Sequence, residues 1–179
     1  DLGLSSLAAI KQAIKDATAQ KPKGEWITGN QYDDRKTDLN RFITRSDIDE
    51  VSPDHPVLIT DRSGHISIAN SVALRMAGLT KHVQDPSGGK YDRDPQTGEL
   101  TGVMRELATE PVRKLVPPPT REDAKRAAIQ MCHAMARSGL TTVHDAMVDQ
   151  IDLLAYQDAL ATGELPIRIY ALILYRLLE

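Results

Sequence analysis

The chain has 179 residues, a formal net charge of −3, 41% hydrophobic and 26% charged positions, and one cysteine. That length suits one ordinary domain or part of a larger one, the spread of charge argues against disorder, and the slightly acidic balance argues against a nucleic-acid partner. Cys132 alone excludes an internal disulfide and a cysteine zinc site, and no run approaches the roughly 18 apolar residues of a membrane span.

Leu7, Ile10, Ile14 and Ala17 recur at helical spacing, so Ser5 to Gln20 reads as an amphipathic helix capped by Ser5 or Ser6 and stopped at Lys21-Pro22-Lys23-Gly24. Glu25 to Gly29 reads as a short strand. A short helix is expected over Ser46 to Val51, with Ser46 and Asp49 as its cap pair. Val57-Leu58-Ile59-Thr60 is a compact apolar run of strand length, Arg62 to His65 a turn, and Ala69 to Ala77 a helix closed by Gly78. Lys90-Tyr91-Asp92 and Glu99 to Val103 are expected to pair as a hairpin across Asp94 to Gly98. A helix is expected from Arg105 toward Val116, kinked or started by Pro111, before the rigid Pro117-Pro118-Pro119 linker.

The last third is more regular. Thr120, reciprocated by Asp123, caps a helix through Ser138 that carries Ala124, Ala127, Ala128, Met131 and Met135 on one face and ends at Gly139. Leu140 to His144 is a strand, Ile151 to Thr162 a helix ended by Gly163, and Ile167 to Leu174 a second strand. Helix, strand, helix, strand with short loops is the signature of a parallel α/β layer. The chain starts at Asp1 without a leader pattern and closes on Leu178-Glu179 soon after an apolar strand, an edge that invites aggregation if left bare. The expectation is an excised piece of a longer protein, with Leu178-Glu179 a cloning scar.

His55, His65, His82, His133 and His144 form no His-x-His pair and no other close metal-ligand spacing, and there is no nucleophile elbow, phosphate loop or dinucleotide fingerprint. Two spots remain. His144-Asp145 ends a parallel strand, where α/β architectures gather their site groups; the plain alternative is that Asp145 caps the next helix and His144 is a satisfied loop residue. His65 lies between an apolar strand and a helix carrying Asn70-Ser71, where an imidazole could bind substrate or shuttle protons; the plain alternative is a helix-start histidine bonded to a nearby carbonyl. Glu106 reads more simply as a surface charge in a first helical turn, and Cys132 as a small core residue.

Seven blocks, taken in order, form a pattern. They are Gly24 to Gly29, Ser52 to Val57, Gly64-His65 with Asn70 to Leu74, Asp85 to Gly89, Thr101 to Glu106, Gly139 to Ala146 and Gly163 to Arg168. In these blocks the chain resembles the YtcJ-like metal-dependent amidohydrolases, amidohydrolase family 3, over essentially its whole length. It departs from that family at Ser63, where an aspartate is usual, and at Ile68, where an aromatic is usual.

The resemblance implies an α/β fold: a partial TIM-barrel segment of parallel strand-helix units with an irregular β-containing insertion. The expected divisions are residues 1–34, helix and first strand; 35–119, the inserted region with its hairpin; and 120–179, the parallel barrel segment. It implies hydrolysis of amide-type C–N bonds by a cytoplasmic parent protein holding a divalent metal, zinc by expectation, whose ligands lie outside this chain. None is assigned here, so the segment alone is expected to be inactive and to bind no metal. His65, Asn70, Glu106, His144 and Asp145 are the expected substrate-side residues. The expected partners are a small amide-type substrate, the rest of the polypeptide and a second copy in a homodimer, with no nucleic acid or membrane. A member of the same family retained for exoenzyme regulation or binding, without catalysis, is the alternative.

Overall fold

Ser6 starts the first helix, α1 (Leu7–Ala19), by accepting a hydrogen bond from the Ala9 N–H, and Ile10 and Ile14, one turn apart, form its buried face. The computed structural model describes residues 2–39 and 41–174. They belong to two compact units, Asp1–Pro117 and Pro118–Glu179.

In the first unit α1 is followed by β1 (Ile27–Tyr32), α2 (Arg45–Asp49), β2 (Val57–Asp61), β3 (Ile66–Ala69), α3 (Ser71–Met76), β4 (Gly89–Arg93), β5 (Leu100–Glu106) and the short α4 (Glu110–Arg113). The five strands form one sheet in the order β1-β2-β3-β5-β4; β1 runs parallel to β2 and every other neighbouring pair is antiparallel. Alternation along the strands divides the core between the two faces. Val57, Ile59, Ile68 and Val103 pack with Ile10, Ile14, Tyr32 and Ile48, while Leu58, Ala69 and Met104 pack with Leu74, Tyr91 and Val112. Each face therefore buries a helix pair, α1 with α2 on one and α3 with α4 on the other. Gly102 lets β5 pass close to β3: a Cβ there would stand 2.4 Å from the Ala69 carbonyl oxygen, at a φ of +94°.

Several boundaries differ from expectation. The first strand pairs with β2, so the division expected after residue 34 falls inside this unit. The cap pair of the short helix is Thr44 with Asp47, not Ser46 with Asp49; the carboxylate of Asp49 instead accepts from the N–H and hydroxyl of Ser71. Ile66–Ala69 is a strand, because two apolar side chains at alternate positions, Ile66 and Ile68, reach the same core. The helix begins only at Ser71, with Asn70 as its cap. The expected hairpin is present, but its second strand continues through Glu106, so Glu106 ends a strand rather than opening a helix. A 3-10 turn over Leu107–Thr109 follows it, and α4 opens at Glu110 with Pro111, which lacks an N–H, in its first turn.

In the second unit, α5 (Arg121–Arg137) opens on the expected reciprocal cap of Thr120 and Asp123 and closes on Ser138. It leads through β6 (Thr142–Val148) and α6 (Gln150–Ala161) to β7 (Arg168–Ile173). β6 and β7 are adjacent and parallel, with Val143 opposite Ile169 and His144 opposite Tyr170. The strand expected to stop at His144 runs four residues further, so His144-Asp145 lies within it. Asp149, reciprocated by Asp152, caps α6, which removes the capping role considered for Asp145. Leu178-Glu179 lie outside the described residues. No helix among the described residues is long and apolar enough to cross a membrane.

Candidate functional site

The β2–β3 turn and the end of β5 bring together two residues far apart in sequence. Ile66 is in register with Arg105, so the next pair outward is His65 and Glu106. His65 Nδ1 lies 3.0 Å from Glu106 Oε2, with the two side chains 67% and 57% exposed. The Glu106 N–H also donates to the His65 carbonyl at 2.8 Å. On the turn, the Ser63 hydroxyl donates to both Asp61 carboxylate oxygens and accepts from the His65 N–H at 3.1 Å. The hydrogen bond that the Glu106 carboxylate accepts from the ring and its negative charge, with a smaller contribution from Asp61, raise the His65 pKa above the ordinary imidazole value.

Glu106 occupies this place at a cost. Its φ of 51° and ψ of −127° match the first central position of a type II′ turn, where glycine is favoured. A side chain held there costs on the order of 1–3 kcal/mol.

Asn70 belongs to the interior. It is fully buried, and its amide bonds the backbone of Ser52, His55, Val57 and Ala73. It has no surface to offer a substrate, because every one of its bonds is spent on holding β2 and α3 together. His55 is likewise structural, buried with Nδ1 3.0 Å from the Glu25 carbonyl oxygen.

In the second unit strand alternation parts His144 from Asp145. Asp145 turns toward α6, where it accepts a hydrogen bond from the Tyr156 hydroxyl. Burial first, and the Asp145 contact second, push the Tyr156 phenol well above its ordinary value. His144 lies on the opposite face, its ring 5.1 Å from that of Tyr170 at 41°. Thr142, Ala146 and Leu172 share that face and are exposed. Cys132 is a buried core residue whose thiol is pushed up by desolvation, which leaves it unreactive.

Four participants escape a linear reading: Asp61 and Ser63 around His65, Tyr156 behind Asp145, and Tyr170 beside His144. Only Ser63-Gly64-His65 carries a local signal. The others depend on strand register and helix packing.

A metal centre needs three or more converging donors. Among the described residues no group of three or more His, Cys, Asp or Glu side chains is arranged to hold a metal ion. His65 and Glu106 are two donors already bonded to each other, and His144 faces an aromatic ring. These residues do not fit a divalent-metal site.

A family model described as the amidohydrolase family matches residues 1–178. The chain is 32% identical over 178 residues to YtcJ of Bacillus subtilis (strain 168), across 95% of this chain and 33% of that protein. It is 30% identical over 167 residues to an N-substituted formamide deformylase of Arthrobacter pascens, across 91% of this chain and 31% of that protein. The crystal structure of an uncharacterized metal-dependent hydrolase from Pyrococcus horikoshii OT3 superposes with a TM-score of 0.63 at 25% identity, over 98% of this chain and 32% of that one. The chain spans about a third of the length of the curated relatives it matches. With the match unbroken through both units, the chain belongs to the amidohydrolase family.

Proposed function

We propose that this chain is one segment of a larger hydrolase that cleaves amide-type C–N bonds in small molecules, with N-substituted formamides as the first substrate class to try. The observation that carries the reading is the family match across residues 1–178; the deformylase relative adds the choice of substrate. The β6–α6–β7 arrangement supports a place in a β/α barrel, since a parallel pair joined through a helix is the repeating unit of that fold. In such a barrel the helix-free face of the strands looks inward, so His144 and Tyr170 are the side chains we assign to the substrate side of this unit.

The divalent metal of the reaction, zinc in this reading, is held by residues other than those described here. The 179-residue segment alone is therefore inactive and takes up no stoichiometric zinc. The test is to purify the full-length protein containing this chain and offer it N-substituted formamides, other N-acyl amines and cyclic imides. Release of amine and acid, or opening of an imide to its amide acid, that chelation abolishes and added zinc restores is the expected result. A folded, zinc-loaded protein that cleaves none of them overturns the proposal and favours a binding role. Tight zinc uptake by the isolated segment would overturn the placement of the ligands.

A further inference from the structure

Glycine at position 106 would remove the backbone strain of the β5 terminus, yet a glutamate stands there with more than half of its side chain in water. An ion pair so open to solvent contributes little to folding. The strain is thus not returned as stability, and what the glutamate does provide is a fixed imidazole. Its carboxylate holds Nδ1, the backbone bond from Glu106 to the His65 carbonyl sets the distance, and the Thr109 hydroxyl, donating to the Glu106 carbonyl at 3.0 Å, holds the strained unit in place. On the other side, the Asp61–Ser63 pair secures the His65 N–H. Nε2 points to no hydrogen-bond partner among the described residues.

The geometry points to His65 as a proton donor in amide cleavage, with Glu106 as the residue that positions its ring; this rests on the reaction proposed above. In that reaction water adds its hydroxyl to the acyl carbon and the C–N bond breaks with its electron pair on nitrogen. An amine departs readily only once that nitrogen is protonated. The imidazolium delivers its Nε2 proton there, and the remaining proton of the water returns to the ring, which ends the cycle as it began. Glu106 and Asp61, the charged groups that act on the ring, favour the protonated form such a donor needs.

The experiment uses the full-length protein, with His65→Gln, Glu106→Gln and Glu106→Gly variants, on amides whose leaving amines run from alkylamine to 4-nitroaniline. His65→Gln is expected to lose roughly 10²-fold or more in kcat on alkylamides, in the range of general acid catalysis, while nitroanilide cleavage is nearly spared. Glu106→Gln is expected to move the alkaline limb of the kcat/KM profile to lower pH, because the imidazole then gives up its proton sooner. Glu106→Gly is expected to raise Tm while losing alkylamide activity, a combination that a merely structural role would not produce. Equal losses on every amide, or none, overturn the assignment of His65. A wild-type protein that cleaves no amide overturns the reaction itself, which separates the two failures.

Discussion

Asn70 Oδ1 accepts a hydrogen bond from the Val57 N–H at 3.0 Å, tying the start of β2 to the start of α3. The same oxygen accepts from the Ala73 N–H at 3.0 Å, and Nδ2 donates to the Ser52 and His55 carbonyls at 3.1 and 2.8 Å. Asn70→Ala leaves the Val57 and Ala73 N–H groups and the Ser52 carbonyl buried without partners and the His55 carbonyl with the Ser52 hydroxyl alone, and the expected loss is about 3 kcal/mol or more. Asn70→Asp fares no better, since it sets a carboxylate against two carbonyl oxygens. Urea unfolding measures both; a loss under about 1 kcal/mol for either would contradict this role.

Acid should reveal a second buried tie. Asp47 accepts from Arg41 Nη1 and Nη2 at 2.7 and 3.0 Å, and from the N–H and hydroxyl of Thr44. Burial alone would raise its pKa, but these bonds outweigh burial and bring it from 3.8 to about 2. A carboxylate with a depressed folded-state pKa stabilises the fold above its unfolded value and stops doing so as pH falls through the folded one. About 2 kcal/mol should therefore be present near neutrality and disappear between roughly pH 4 and pH 2. Unfolding free energies measured across that window should fall in the wild type by this amount more than in Asp47→Asn.

Gly102 offers a steric test. Alanine there would combine a positive φ with a Cβ pressed on the Ala69 carbonyl and the Arg45 backbone, none of which can swing aside. The expected cost is about 2 kcal/mol or more. Gly98→Ala is the control: φ is also positive but nothing stands within 4 Å, so the penalty should be the smaller, backbone-only one.

Tyr156→Phe examines the second unit. Removing the hydroxyl deprives the half-buried Asp145 of its donor from α6, at an expected cost of about 1–2 kcal/mol in thermal or urea unfolding. Asp145→Asn in the Tyr156→Phe background should then cost almost nothing further. Additive losses would show that the two side chains are not coupled.

The elements legible in the sequence were those that carry their own punctuation. Thr120 with Asp123, Gly139 and Gly163 mark helix ends by local chemistry, and Ser6 does the same for α1. Ile66–Ala69 was not legible: four residues give too short an alternation, and the alanine beside Asn70-Ser71 reads as helix. Asn70 resembles any polar cap until its burial is known. The pairing of His65 with Glu106 has no local trace, because it follows from the register of β3 on β5, which is set by side chains filling two opposite cores. Tyr170 becomes a neighbour of His144 only through the register of β7 on β6.

The mixed sheet of the first unit also dictates an order of assembly. The β2–β3 and β4–β5 hairpins close short loops and need little chain entropy, whereas the parallel β1–β2 pairing must bridge the long excursion through α2. The hairpins can therefore form early and meet along β3–β5, while β1 and the α1 helix above it join last. In pulsed hydrogen exchange during refolding, the amides of Ile59 and Met104 should gain protection ahead of those of Ile27 and Gly29, which face β2.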